Sequence, residues 1–333
     1  MSWNLSLGVA DILKQGAQGE GLNRDQALAL MALPLHGRES YALMQAADAL
    51  SRERFGLKGE SHFHIGINVA PCPLNCRFCS LAVKAGIFTE PLIFGDDQLV
   101  AWARQAESQG ADALNLMTTG NFPLTRLLEI GRLLKGAVTT PLVANTRDIS
   151  HPEGEDLLAA GFVGFYHAVR LGEGRDTPLR PEKRIATIQV IKDVGLRWMN
   201  CVEPVGPEHT AEEIVDLMLL ARQYRATYSG VMRSINFPGS PMTTHGMISE
   251  LAMAKLVAIS RLVMGDIPLA HCTHEPNGAA LMAGANLLFP EVGSSPRDGR
   301  ADTGQGRGQA IDRCRTLHWE MGWAPDKASN CFQ

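Results

Sequence analysis

From about residue 62 the chain alternates eight times between a short apolar run and an amphipathic helical stretch, and this most narrows the folds open to it. The strand candidates are HFHIGINV (62–69), ALNLM (113–117), PLVAN (141–145), FVGFYHAV (162–169), RWMNCV (197–202), SGVMRSIN (229–236), IPLAHC (267–272) and ANLLF (285–289). Clear helix signals lie between them. Asp96 and Asp97 open one helix, which aligns Leu99, Trp102, Ala103 and Ala106 and stops at Gly110. Thr210 and Glu213 have the spacing of a capping box, ahead of Ile214, Leu217, Met218 and Ala221. Another helix runs SELAMAKLVAISRLV (249–263). Strands alternating with helices predict a parallel sheet with crossover helices, and eight strands are enough to close a barrel. We therefore expect an α/β fold, a (β/α)8 TIM-type barrel, in preference to a doubly wound sheet. The chain has no GxGxxG after the first strand and no GxxxxGK[ST], so neither nucleotide fingerprint supports the doubly wound alternative.

The flanks differ from this core. LNRDQALALMAL and RESYALMQAADALSRERFG have helical spacing and end at Pro34 and Gly56. The expected organisation is a helical extension over 1–60, a barrel over 61–292, and a C-terminal extension over 293–333. That last part holds GSSPRDGRADTGQGRG, with the composition of a flexible connector, then a final helix near 309–321 and a short tail carrying Cys331. The chain of 333 residues carries a net charge of −4, which does not suggest nucleic acid or an anionic membrane as the main partner. MSWNLSLGVADILKQG lacks the pattern of a secretory leader, and there is no apolar run of about 18 residues. The expectation is a cytoplasmic protein with reduced thiols.

The densest chemistry is CPLNCRFCS (72–80), where Cys72, Cys76 and Cys79 follow the first strand at C-x3-C-x2-C spacing. In a barrel this is the catalytic face. Structural zinc wants four ligands, and a four-iron cluster is normally held by four thiolates. Three thiolates would leave one iron open for chemistry.

This loop, with Phe78 before the third cysteine, resembles the signature of the radical SAM superfamily. HAVRLGEGRDTPLRPEKRIATIQVIKDVGLRWMN (167–200), FPGSPM (237–242) and LMAGANLLFPEVGSSP (281–296) are similar to its biotin synthase-like branch, which includes the iron–iron hydrogenase maturase and methylornithine synthase. The resemblance implies a radical SAM barrel with a 4Fe-4S cluster on Cys72, Cys76 and Cys79. It implies S-adenosyl-L-methionine on the open iron, cleaved to a 5′-deoxyadenosyl radical that abstracts hydrogen from an unactivated C–H. By position, it places Thr118, Thr119, Gly120 and Asn121 where the family often has a GGE-like turn for the cofactor's amino group. It likewise assigns Asn145 to the cofactor, Arg170 to its carboxylate, Glu173 to its ammonium or ribose, and Val205 and Gly206 to its adenine.

Four cysteines remain, Cys201, Cys272, Cys314 and Cys331, the number a second four-iron cluster needs. Biotin and lipoyl synthases carry an auxiliary cluster as sulfur donor, so the resemblance implies sulfur insertion. Ordinary buried cysteines are the alternative, although Cys331 sits in a sequence that reads as an exposed tail. His271, His274 and Glu275, in HCTHE, are candidate substrate-binding residues. His62 and His64 alternate on strand one and so share a face.

Two other readings stay open here. One is a single-cluster enzyme that rearranges or cleaves a small amino acid or cofactor precursor. The other is a non-catalytic metal-binding interaction protein. The expected partners are a small-molecule or carrier-protein-bound substrate and an electron donor such as flavodoxin or ferredoxin.

Overall fold

The computed structural model describes residues 5–69 and 71–332, so the first four residues of the N-terminal extension lie outside it. Ten segments make one parallel sheet. They are β1 (Glu60–Gly66), β2 (Ala113–Met117), β3 (Leu142–Asn145), β4 (Phe162–Tyr166), β5 (Arg197–Met199), β6 (Val202–Val205), β7 (Tyr228–Arg233), β8 (Ala270–His274), β9 (Leu287–Leu288) and β10 (Glu291–Gly293). β6 continues β5 along β7, and β10 continues β9 along β1, so the segments fill eight positions. The ring closes where β8 pairs with β7 and β9 pairs with β1. The molecule is a closed parallel (β/α)8 barrel, as the alternation predicts.

Of the eight expected strands, the first, fourth and sixth stop early, at Gly66, Tyr166 and Arg233, and the fifth is interrupted. Beyond Gly66, Asn68–Val69 turns away to pair with Leu92–Ile93 outside the barrel. The fifth breaks at Asn200 and Cys201, between β5 and β6.

Side-chain alternation sorts β1 into two faces. Phe63 and Ile65 point outward, into the apolar cluster that holds Leu99 and Ala103 of α4 (Asp96–Ser108). His62 and His64 point inward. The His62 ring lies 5.4 Å from Tyr228, and the His64 ring 4.7 Å from Phe289. Their predicted shared face is the barrel interior. Val143, Tyr166, Met199, Cys201, Cys272 and Phe289 fill the middle of that interior. Gly230 on β7 has a steric reason: a Cβ there would come within 1.8 Å of the Cys272 carbonyl oxygen on β8.

Helices α1 (Leu7–Ala17), α2 (Arg24–Met31) and α3 (Arg38–Phe55) pack outside α9 (Glu250–Met264). Sandwiched between them and the barrel, α9 is buried from Met253 through Met264. The capping box on α8 (Ala211–Gln223) forms in both directions, at 3.2 Å and 2.9 Å. No helix among the described residues is long and apolar enough to cross a membrane.

The Gly-rich segment is not a loose connector. Its Asp298, 5% exposed, accepts hydrogen bonds from the Arg300 and Arg307 amides and the Thr303 hydroxyl. One buried carboxylate organises the turn, a feature composition does not reveal. The chain then forms α11 (Ile311–Glu320) and returns under the barrel. There Cys331 is fully buried, which corrects its reading as part of an exposed tail.

Candidate active site

A cavity of about 370 Å³ opens at the C-terminal ends of the strands. Cys72, Cys76, Cys79 and Phe78 line one wall, and they are the only cysteines among the described residues to line it. Local chemistry shapes their loop. Asn75 takes a left-handed conformation at φ 50°, and its side chain bonds the Pro73 carbonyl and the Lys84 amide at 3.0 and 2.9 Å. The Cys72 amide donates to Leu81 at 2.7 Å, and the Cys79 amide to Cys76 at 3.0 Å. Two other loops hold the outside of the turn. The Arg77 amide donates to the Asp176 carbonyl, and the Ser80 amide to the Pro296 carbonyl, both at 2.9 Å. Burial pushes the Cys79 thiol up to about 12 and raises Cys76, although the Arg170 guanidinium pulls Cys76 back.

The turn after β2 packs flush on this loop. A Cβ at Gly120 would lie 2.4 Å from the tip of Leu74 and 3.7 Å from the Cys72 sulfur, so a larger residue would have to displace the Leu74 side chain. Thr118, Thr119 and Gly120 line the cavity with Asn145. Thr119 is fixed by Asn68, whose amide nitrogen donates to its hydroxyl at 2.7 Å. Asn121 is exposed, outside the lining, and accepts from Thr119 at 2.9 Å.

Arg170 lines the cavity beside Glu203, at 3.1 Å. Burial disfavours its charge, but Glu203 and Glu173 prevail and raise it further. The Glu173 side chain is 1% exposed, stands behind this wall and faces Arg184 at 3.3 Å. Burial raises its carboxyl above the ordinary range. Val205 and Gly206 lie elsewhere. They line a separate groove with Met31, Leu33 and Leu35, while Glu203 and Pro204 reach the cavity. Strand five therefore presents Glu203 and Pro204 to the cavity in place of the expected Val205 and Gly206.

HCTHE divides by alternation. His271 faces outward and its ring bonds the Val257 carbonyl of α9 at 3.0 Å, away from the cavity. His274 faces inward and lines it. Glu275, left-handed at φ 67°, pairs with Arg297 at 3.4 Å and with the more exposed Arg307. The remaining cysteines do not form one set. Cys201, Cys272 and Cys331 share the interior cluster, whereas Cys314 sits on α11 in the apolar layer outside the barrel.

Sequence reasoning missed most of the cavity floor. The Tyr166 hydroxyl donates to Glu203 at 2.8 Å. Glu291 meets His274 at 3.0 Å, His64 at 3.7 Å and the Arg297 guanidinium. Burial opposes charge on Glu291, yet Arg297 and His274 hold it well below the usual carboxylate range. Burial and Arg297 push His274 down to about 4, so it is neutral at pH 7. The available signal was an acidic residue two positions after the last predicted strand, in FPEVG.

No family model matches the chain. It is 25% identical to the biotin synthase of Trichlorobacter lovleyi over 265 residues, covering 76% of this chain and 78% of that protein. It is 26% identical to the biotin synthase of Desulforudis audaxviator over 268 residues, covering 77% and 80%. The fold is similar to methylornithine synthase (PylB), with a TM-score of 0.79 at 14% identity, covering 96% of this chain and 98% of that one. The [FeFe]-hydrogenase maturase HydG also gives 0.79, at 12% identity, covering 99% and 78%.

The chain belongs to the radical SAM superfamily, in its biotin synthase-like branch.

The residues present fit the cofactors this membership implies, a 4Fe-4S cluster and S-adenosyl-L-methionine. Three thiols of one loop reach the cavity wall, and Gly120 leaves room directly against Cys72. Thr118, Thr119, Asn145 and Arg170 border the same space. A radical SAM enzyme needs a cavity that holds both cofactor and substrate, and this one runs from the cysteine loop to the buried charges of the floor.

Proposed function

We propose that this enzyme abstracts hydrogen from a small, polar or zwitterionic molecule held inside the barrel. One observation carries the reading: Tyr166, Glu203, His274, Glu291 and Arg297 form a charged, hydrogen-bonded floor to the cavity that the cysteine loop overhangs. Buried charges of both signs suit a substrate with both signs, and they discriminate against apolar analogues that would leave them unpaired. When bound, the cluster and S-adenosyl-L-methionine supply a 5′-deoxyadenosyl radical. The chain contributes the rest. Cys72, Cys76 and Cys79 hold the cluster at the wall. Arg170, steadied by Glu203, offers a guanidinium fork to a carboxylate. Asn145 and the Thr118–Gly120 turn are the polar groups proposed around the cofactor, while Glu173, behind the wall, can act only through Arg170 and Arg184. Electrons come from a small reducing protein of the flavodoxin or ferredoxin kind.

The test is 5′-deoxyadenosine release after anaerobic reconstitution, with a reductant and a panel of small amino acids and their derivatives. Release that rises with one member of the panel, and stops in Cys76→Ala, supports the proposal. Release indifferent to every polar candidate and stimulated by an apolar one would overturn it.

Sulfur insertion is the second reading. The curated relatives named above are biotin synthases, and Cys201 and Cys272 lie inside the barrel close to Tyr166. It predicts a second cluster. About eight irons per chain, falling to about four in a Cys72/Cys76/Cys79→Ala variant, would establish one. About four falling to none favours the single-cluster reading.

A further inference from the structure

The closed end of the barrel holds a second group of ligand-type side chains, independent of the cavity and of the function proposed for it. Glu60 and His62 point inward from the start of β1. The last residues of the chain fold back beneath them. The Ser329 hydroxyl donates to Glu60 at 2.8 Å, and the Asn330 amide donates to the same carboxylate at 2.5 Å. These bonds carry Cys331 inside the barrel, where it is fully buried. One ligand atom each of Glu60, His62 and Cys331 lies within 4.8 Å of the others. The Phe332 ring closes over them, 5.5 Å from the His62 ring.

Two buried polar atoms here lack partners among the described residues. One is Nδ1 of His62, whose Nε2 meets Glu60 at 3.2 Å. The other is the hydroxyl of Tyr228, whose ring sits edge-on to His62 at 5.4 Å. Buried polar groups are rarely left so, and each points to a ligand or a donor not supplied by the chain. The other histidine–carboxylate trio, His64, His274 and Glu291, also has one unpartnered atom, Nε2 of His64, but that trio is already occupied by a cation. Arg297 already places its positive charge on Glu291 and His274.

We propose that Glu60, His62 and Cys331 bind one zinc ion, which fastens the C-terminal tail into the closed end of the barrel. The donor set is one carboxylate oxygen, one imidazole nitrogen and one sulfur, a combination that suits zinc and disfavours magnesium or calcium. Ligands of a tetrahedral zinc stand about 3–4 Å apart, given Zn–N and Zn–O near 2.0 Å and Zn–S near 2.3 Å, so a pair at the 4.8 Å limit would close by about 1 Å, whereas Glu60 and His62 already meet at 3.2 Å. Binding forms a zinc–sulfur bond and releases the Cys331 thiol proton to water; nothing is oxidised or reduced. The ion would join residue 331 to residues 60 and 62, crosslinking the two ends of the barrel-forming chain.

The test uses the full-length, iron-loaded protein. Zinc and iron per chain are measured after incubation with zinc sulfate and gel filtration, in wild type, Cys331→Ser, His62→Gln and Cys314→Ser. The expected result is about one zinc in wild type and in Cys314→Ser, and at least about tenfold less in Cys331→Ser and His62→Gln, with iron unchanged. The Cys72/Cys76/Cys79→Ala variant should keep its zinc. A wild type that takes up no zinc overturns the proposal, as does full zinc in a soluble Cys331→Ser protein or loss of zinc in the signature-loop variant. Because the Cys331 and His62 variants could fail to fold, a second readout uses wild type alone. Trypsin cleavage after Lys327 should slow about tenfold with zinc and recover with a chelator. Cleavage indifferent to both is counter to a zinc-fastened tail.

Discussion

The two ends of this barrel use the same residue types and do opposite things with them. At the mouth, Cys72, Cys76 and Cys79 stand over a cavity of about 370 Å³ with charged walls. At the closed end, Cys331, His62 and Glu60 are packed under the tail, and the space between is filled by Tyr228, Phe289 and Cys272. Cysteine, histidine and glutamate do not by themselves mark a reaction centre. Room for a substrate, beside groups that can bind one, separates the mouth from the closed end.

The largest expected effect tests that division directly. Cys76→Ala should reduce 5′-deoxyadenosine release to the level of a no-enzyme control, with little change in the thermal midpoint, because Cys76 lies on a loop at the cavity wall. Cys272→Ala should do the reverse. It removes a fully buried side chain from the middle layer and should lower stability by about 1–3 kcal/mol, leaving the iron on the signature loop in place. Measured iron content and thermal unfolding of both variants check the pair. Loss of signature-loop iron in Cys272→Ala would join the two ends into one functional unit.

Arg297→Ala comes next. It leaves Glu291 buried beside His274 and His64 without its guanidinium, and breaking a buried pair in this way typically costs about 3–5 kcal/mol. Urea unfolding would read the loss. Arg297→Lys should recover only part of it, since an ammonium cannot reach Glu291, Glu275 and the His274 ring with separate fixed donors. A neutral result for Arg297→Ala would mean that the cavity floor is hydrated and that its charges are not a preformed substrate site.

The same contrast explains what could be read from sequence. The barrel was legible because every strand and helix announces itself locally, by period and by caps such as Thr210–Glu213. The cysteine loop was legible because all three thiols fall within CPLNCRFC. The floor was not. Tyr166, Glu203, His274, Glu291 and Arg297 come from four strands and a loop, and only closure of the ring brings them together. The tail was harder still, since Ser329 reaches Glu60 across a separation of 269 residues. The Gly-rich segment misled because Asp298 satisfies three donors, and no composition records that. Val205 and Gly206 were misplaced because the strand is irregular between Val202 and Val205, which a resemblance by position does not register.

Acid should affect the whole barrel. Burial lowers His167 and His271 from the ordinary value of 6.5 to about 3. Between those values the unfolded chain binds the extra protons, so stability falls as pH drops below 6.5. At pH 5 each of these two histidines should have lost about 2 kcal/mol of stability relative to neutral pH. Glu291, held low in the fold, acts in the same direction at still lower pH. Unfolding free energies measured from pH 8 to pH 5 should therefore decline with acid from about pH 6.5. A flat profile over that range would mean that His167 and His271 titrate normally and that their surroundings admit water.

The smallest effects come from two tyrosines one layer apart, and they sharpen the comparison most. Both hydroxyls are buried, and both lie inside the barrel. Tyr166, on the cavity side, donates to Glu203 at 2.8 Å. Tyr228, towards the closed end, has no partner for its hydroxyl among the described residues. Tyr166→Phe removes a hydrogen bond to a carboxylate and should destabilise by about 1.5 kcal/mol. Tyr228→Phe, in metal-free protein, removes a desolvated group that gains nothing from the fold, and should be neutral or stabilising by up to about 1 kcal/mol. The opposite signs follow from one difference, the presence of Glu203 within reach. Unfolding both variants under identical conditions measures that difference with the aromatic packing unchanged. Equal destabilisation would show that the Tyr228 hydroxyl has a partner after all, and a buried water or ion would then be the place to look for it.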